Sequence, residues 1–287
     1  MKCLSRGLCL LFVISLGQPV MSAEDRTTTR IVSLVPSLTE MLYAIGAADQ
    51  IAAVSIYCHY PPEAQTKPKV GASLNPDLES LIRQRPSVVL LYKSQADLAG
   101  KLSNLKIKTE LCATDRIAEI YGALDMLGQL TGHESEATSA AETMRHELDE
   151  IARRSAKLPP VRALVIVSRD SAGLRMMYQS GANNFLGEIL KIAGGVPAVA
   201  TTAEAVDREQ IIAGNPEVII DLSGGERAAD ATYQSAAKAH WNELNTVAAV
   251  RSGRIHVISD SHALVPGPYL PVIAKKFFDV LHKSAAD

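Results

Sequence analysis

The chain has little of what a disulfide scaffold, a nucleic-acid binder or a hydrolase needs. It carries four cysteines in 287 residues, and two of these, Cys3 and Cys9, fall in the N-terminal stretch. Cys58 and Cys112 are too few for a small disulfide framework, and sequence alone cannot pair residues so far apart, although export would permit a bridge. Charge of one sign is scarce: 29 basic residues face 31 acidic ones, which leaves nothing to attract a phosphate backbone or an anionic membrane face. Neither Gly-x-Ser-x-Gly nor His-Glu-x-x-His occurs, so the serine nucleophile elbow and the helical zinc site are missing. His256, Asp260 and His262 lack a His-x-His pair and make a poor case for a metal-ion binder or metallohydrolase. Aromatics are 5% of the chain and tryptophan is single, at Trp241.

Long apolar runs are absent after the first residues. "MKCLSRGLCLLFVISLGQPVMSA" has Lys2 and Arg6, an apolar run from Leu8 to Leu16, and small residues at Ser22 and Ala23. That layout predicts a secretory signal peptide over 1–23, cleaved after Ser22 or Ala23, and hence a periplasmic location. Cys9 lacks the preceding apolar and small residues of a lipid-modified cysteine, so the expected product is soluble and untethered. Cleavage removes two basic residues and leaves 27 against 31 acidic, a formal charge of −4.

What is present is an alternation of short β-branched runs with helical patterns, the pattern of parallel strands joined by helical crossovers. "RIVSLV" reads as the first strand, and "PSLTE" as a helix start in which Ser37 caps and Glu40 closes a capping box, with Gly46 as the stop. Further strands are expected at Ile51 to Ser55, Val88 to Tyr92 and Thr109 to Cys112. Glu136 to Ala156 breaks the alternation: Ala137, Ala140, Ala141, Met144, Leu148, Ile151 and Ala152 keep helical spacing on one face. His146 and Glu150 on that helix read as a solvated i, i+4 pair. Pro159 and Pro160 follow, and a new α/β pattern starts at "RALVIVS". The predicted organisation is a signal peptide (1–23), an N-terminal lobe (30–130), a linking helix (133–157) and a C-terminal lobe (160–287).

The second lobe repeats the first. "DLESLIRQRPSVVLL" from Asp77 aligns without gaps on "DREQIIAGNPEVIID" from Asp207 at an offset of 130, and "EMLYAIGA" from Glu40 aligns on "EILKIAGG" from Glu188 at an offset of 148. The first lobe therefore carries 18 extra residues between Gly46 and Asp77. They include "VSIYCHYPPEA", which spends two tyrosines, a histidine and a cysteine on one short loop. The predicted fold is α/β: two pseudo-duplicated lobes with central, mostly parallel sheets, joined by one long α-helix.

With "RIVSLVPSLTEMLYAIG", "VSIYCHYPPEA", "VGASLNPDLESLIRQRPSVVLL", "NNFLGEILKIAGG" and "DREQIIAGNPEVIID" in this order, the chain resembles the periplasmic substrate-binding proteins of ABC importers for vitamin B12, haem and ferric siderophores. The tyrosine-bearing loop looks most like the cobalamin binders. The resemblance implies a non-enzymatic, monomeric receptor that binds cobalamin between its lobes, with haem or a ferric siderophore as the alternative, and no other cofactor. It implies delivery to an inner-membrane permease dimer driven by its ATPase. Glu79 and Glu209 match paired lobe-tip glutamates that, in the resemblance, enter arginine pockets on the two permease subunits. Two departures stand out: Ser73 occupies a position where a well-known cobalamin binder has tryptophan, and "PGP", often followed by arginine in the family, here precedes Tyr269.

Clefts in open α/β lobes lie at the carboxyl ends of strands. The expected ligand contacts are therefore Tyr57, His59 and Tyr60 after the second strand, Tyr92 at the end of the third, Tyr178 in the second lobe, and Asp260 and His262 near the C-terminus. Tyrosine gives a tetrapyrrole both a flat wall and a polar anchor. In a haem reading Tyr92, Tyr178, His59 or His262 would supply an axial ligand. Met176 and Met177 fit either a cleft wall or core filling.

Overall fold

The runs Ile31–Ser33 (β1), Ile51–Val54 (β2), Val88–Tyr92 (β3) and Thr109–Cys112 (β4) form a parallel sheet of order β2-β1-β3-β4 in the computed structural model. The structure describes residues 29–170, 173–199, 204–225, 229–260 and 262–282. The expected signal peptide lies outside the described residues. β1 and the first four residues of β3 are wholly buried, as near-continuous β-branched runs require when helices cover both faces. The covering helices are α1 (Pro36–Ala44), α2 (Leu78–Arg83), α3 (Ala96–Asn104) and α4 (Ile117–Thr131).

A 22-residue helix, α5 (Glu134–Ser155), leads to the second lobe, and at 1.5 Å per residue it spans about 33 Å. Ala137, Met144, Leu148 and Ile151 are its buried face. That face belongs to one continuous core holding Ile31 and Leu90 of the first lobe and Val165, Ile220 and Phe277 of the second. His146 and Glu150 are exposed on the other side.

The second lobe holds β5 (Val161–Arg169), β6 (Met177–Gln179), α6 (Phe185–Ile192), β7 (Gly195–Pro197), β8 (Ala205–Val206), α7 (Arg208–Gly214), β9 (Val218–Asp221), α8 (Ala231–His240), α9 (Ala248–Arg251), β10 (Ile255–Val257) and α10 (Leu270–His282). Its parallel strands β7, β5, β9 and β10 repeat the neighbour order of β2, β1, β3 and β4. Val88 pairs with Ile31, and Val218, 130 positions on, pairs with Ala163. The repeat extends to stops and caps. Gly46 and Gly194 end α1 and α6 at φ +80 and +87, a left-handed turn that suits glycine. Asp77 and Asp207 cap α2 and α7 through their side chains. What the second lobe adds is antiparallel: β6 folds back on the far end of β5 and carries β8 beside it.

One helix start differs from expectation. The N-cap of α1 is Val35, without a side-chain cap, and Pro36 takes the first helical position. Proline's fixed φ suits that place, where its missing N–H costs nothing. Ser37 is consequently inside the first turn and buried. Glu40 faces inward, 7% exposed, and closes no capping box.

Candidate functional site

The loop after β2 alternates its side chains. Ile56, Tyr57 and His59 are exposed, Cys58 is fully buried and Tyr60 half-buried. Cys58 is the loop's anchor: its Sγ accepts from the Thr39 hydroxyl at 3.1 Å and lies 3.3 Å from that of Ser55. Lys69 donates to the carbonyls of Cys58 and Ala64 at 3.2 and 3.0 Å, and Gln65 to that of His59 at 2.9 Å. Both Cys58 and Cys112 are free thiols, so no bridge joins them, and burial pushes the Cys112 thiol up to about 12.

So held, Tyr60 reaches the second lobe. Its ring meets His262 edge-on at 4.2 Å and Tyr269 at 5.6 Å, and His262 stacks on Tyr269 at 4.3 Å with 19° between planes. Offset and T-shaped pairs of this kind contribute about 0.5–1.5 kcal/mol each beyond burial. This triad joins the loop after β2 to the loop between β10 and α10. Its histidine is oriented by Asp260, whose Oδ1 accepts from the His262 backbone N–H at 2.9 Å and lies 3.0 Å from Nδ1. Lys276 on α10 bonds the other carboxylate oxygen. Burial raises the Asp260 carboxyl, but the Lys276 ammonium and the two His262 contacts outweigh it and hold it below the usual carboxylate range. Burial, followed by the hydrogen bond with Tyr269, pushes the Tyr60 hydroxyl upward.

Around the triad several buried polar atoms have no partner among the described residues: Glu40 Oε2, Tyr43 OH and His262 Nε2. Buried polar groups are nearly always satisfied in folded proteins, so these atoms are open to partners from outside the chain. Glu40 is the extreme case. Burial, with the charge of Asp260 adding to it, pushes its carboxyl up to about 8. Gly267 of the loop before α10 lies against this carboxyl: a Cβ on it would stand 3.5 Å from Glu40 Oε2, an ordinary contact.

Of the residues expected to meet a ligand, Tyr60, Asp260 and His262 come together. Tyr57 is 54% exposed at the end of β2, on the same loop. Tyr92 ends β3 half-buried, its hydroxyl pushed upward by burial. Tyr178 sits apart on β6, beside Met176 in a shallow pocket that also involves Asp207 and Gln210, and no ring contact ties it to the triad among the described residues. Met177 is core, packed with Leu174 and Ile219, while Met176 is exposed. His256 lies within β10, and no group of three or more metal-ligating side chains forms among the described residues. Sequence reasoning passed over Glu40 and Tyr269 as site residues. The signals were there, in the Glu40–Glu188 repeat and in the tyrosine after "PGP".

At the lobe tips, Glu79 and Glu209 are exposed in the first turns of α2 and α7. Each has an exposed isoleucine three residues on, Ile82 at 44% and Ile212 at 46%, on the same helix face. Gly71, at φ +89, packs against the start of α2, where a Cβ would come within 2.7 Å of the Asp77 nitrogen.

Two α/β lobes of repeated topology, linked by one helix and meeting over aromatic and carboxylate groups, define a bilobal binding protein. The periplasmic binding protein family matches residues 31–261, and the chain belongs to it. It is 28% identical over 233 residues to a vitamin B12-binding protein of Yersinia pestis, covering 79% of each chain. Among solved structures, the periplasmic vitamin B12 binding protein of Vibrio cholerae shares the fold with a TM-score of 0.73 at 23% identity, over 88% of this chain and 96% of that one. A periplasmic heme binding protein from Pseudomonas aeruginosa does so at 0.77 and 20% identity, over 90% and 94%. No helix among the described residues is long and apolar enough to cross a membrane.

Proposed function

We propose that this protein is the periplasmic receptor of an ABC importer, capturing a corrinoid between its lobes and delivering it to an inner-membrane permease dimer. The observation that carries the reading is the triad of Tyr60, His262 and Tyr269 at the lobe junction, with Asp260 and Glu40 beside it. A corrin offers a flat apolar ring rimmed by carboxamides; aromatic faces suit the ring, and carboxylate oxygens accept from amide N–H groups. Tyr57, His59 and Tyr92 extend the wall from the first lobe. The kinship with the vitamin B12-binding relative supports the choice. The chain does no chemistry; its work is affinity, orientation and docking.

One observation favours haem as a second reading. His262 has Nδ1 held by Asp260 and Nε2 without a partner, the arrangement in which a carboxylate fixes the imidazole that ligates a metal.

Titration of the purified protein with cyanocobalamin, hemin and a ferric siderophore, followed by calorimetry and visible spectra, separates these readings. Saturable binding of cyanocobalamin is expected. No cobalamin signal together with a ligated haem spectrum that His262→Ala abolishes moves the assignment to haem. The core running unbroken through α5 predicts small lobe movement on binding. Ligand-free and bound forms differing by a large hinge rotation would refute that.

A further inference from the structure

The repeat relates the contacts between the lobes as well as the lobes themselves. α1 and α6 correspond at an offset of 148, pairing Glu40 with Glu188. The helices that follow the fourth strand of each lobe, α4 and α10, begin at Ile117 and Leu270, so the preceding residues, Arg116 and Tyr269, correspond too.

At one junction the pair is complete. Glu188 of the second lobe accepts from Arg116 Nε and from the Ile117 N–H of the first lobe, each at 2.8 Å, and Arg116 Nη2 lies 2.6 Å away. The Phe185 N–H adds a bond to the Asp115 carbonyl at 2.7 Å. Both carboxylate oxygens are held by the first lobe, one of them by charge-assisted bonds, the strong kind.

At the other junction the geometry recurs without the cation. Glu40 of the first lobe faces the loop before α10, with Gly267 against it. The arginine's place belongs to Tyr269, which instead stacks on His262, and Glu40 Oε2 is buried and unpartnered. The titratable groups around it are Tyr43 from α1, Tyr60 and Glu63 from the loop after β2, Tyr92 from β3, Asp260, His262 and Tyr269 from the loop before α10, and Lys276 from α10. The one ammonium in that set is engaged by Asp260.

We propose that Glu40 and Tyr269 form a pH-responsive latch between the lobes, the half of a duplicated clamp in which arginine has been replaced. Protonated, Glu40 seats against the loop before α10 as a neutral group. Ionised, it is a buried, uncompensated charge beside Asp260 and drives that junction apart, while Glu188 and Arg116 keep the other junction closed. The carboxyl sits at about 8 against an ordinary 4.5. A raised carboxyl works against folding as pH rises: its contribution is full below the ordinary value and is lost progressively up to the raised one. The latch therefore weakens from mildly acidic to mildly alkaline pH, whichever ligand the cleft holds.

Amide hydrogen exchange of the purified protein tests this, with the loop before α4 as internal reference for the loop before α10, so that the intrinsic pH dependence of exchange cancels. In the wild type, protection of the Leu270 amide, bonded to the Gly267 carbonyl, relative to the Ile117 amide, bonded to Glu188, is expected to fall at least tenfold between pH 6 and 9. In Glu40→Gln it should not change. In Tyr269→Arg, which restores a cation, it should hold at pH 9, and this variant decides the matter if Glu40→Gln folds poorly. An identical pH response in the wild type and either variant, or parallel loosening of both loops, overturns the latch.

Discussion

Glu79→Lys or Glu209→Lys is expected to abolish ligand uptake while leaving the isolated protein's ligand affinity and fold intact. Glu79 is 86% exposed, and its one close partner is Arg83, four residues on, at 3.0 Å. An exposed pair of that spacing contributes about 0.3–0.5 kcal/mol, so reversal costs little stability. Neither glutamate belongs to the aromatic triad. An acid in a first helical turn would by itself only offset the helix dipole, worth about 0.3–1 kcal/mol. The duplication argues for more: the same acid, with the same exposed isoleucine three residues later, stands behind the same aspartate cap on both lobes. A pseudo-symmetric pair of this kind would suit the two-fold permease that the proposed function calls for. Placing like charges together at such a contact costs several kcal/mol, and each 1.4 kcal/mol is about tenfold in affinity. Uptake into vesicles bearing the importer, beside calorimetry on the isolated variants, checks the expectation. Lost ligand affinity in either variant would sink the docking role, and unchanged uptake would leave only the dipole.

The largest loss of stability is expected from Asp221→Ala. Asp221 ends β9 and is fully buried. It lies 2.8 Å from Arg169 Nε at the end of β5, in a pair whose side chains are 2% and 0% exposed. It also accepts from the Trp241 indole N–H at 3.3 Å and from the Ser223 backbone N–H at 3.0 Å. Removing one member leaves a buried guanidinium uncompensated, a loss of about 3–5 kcal/mol. At about 2–4 °C per kcal/mol for a chain of this size, the melting temperature should drop by roughly 10 °C. The double substitution Arg169→Met with Asp221→Leu removes both charges and should recover most of that. Thermal and denaturant unfolding of the single and double variants measures the difference; a single variant within about 1 kcal/mol of the wild type would mean that the pair is effectively solvated. Trp241, the lone tryptophan, thus packs the second lobe and ties its indole to a strand end, away from the triad.

Local chemistry made much of this protein legible from its residues. Strand β3 stands where its apolar run predicts, because a parallel strand covered on both faces needs an unbroken apolar segment; β4, at the sheet edge, is more polar and more exposed. α5 begins and ends within two residues of the expected span, Glu136 to Ala156. The repeat shows equally well, since Gly46 and Gly194 answer a backbone demand that recurs in each lobe. At α1, by contrast, two local signals competed for the start and Pro36 prevailed over Ser37.

The site was legible only in part. Tyr60, Asp260 and His262 follow strand ends and were expected there; Tyr178 lies within β6, which runs antiparallel between β5 and β8 and holds it beside Met176 in a separate pocket. The sequence by itself determined two lobes of one design, their linking helix and the paired first-turn glutamates, because each is written in local patterns of strand runs, caps and helical spacing that recur along the chain. Only the tertiary structure decided that Tyr60 meets Tyr269 and that Glu40 is buried without the arginine its counterpart has. Those contacts join residues some two hundred positions apart, and what a carboxyl does there depends on which neighbour across the lobe junction takes it out of water.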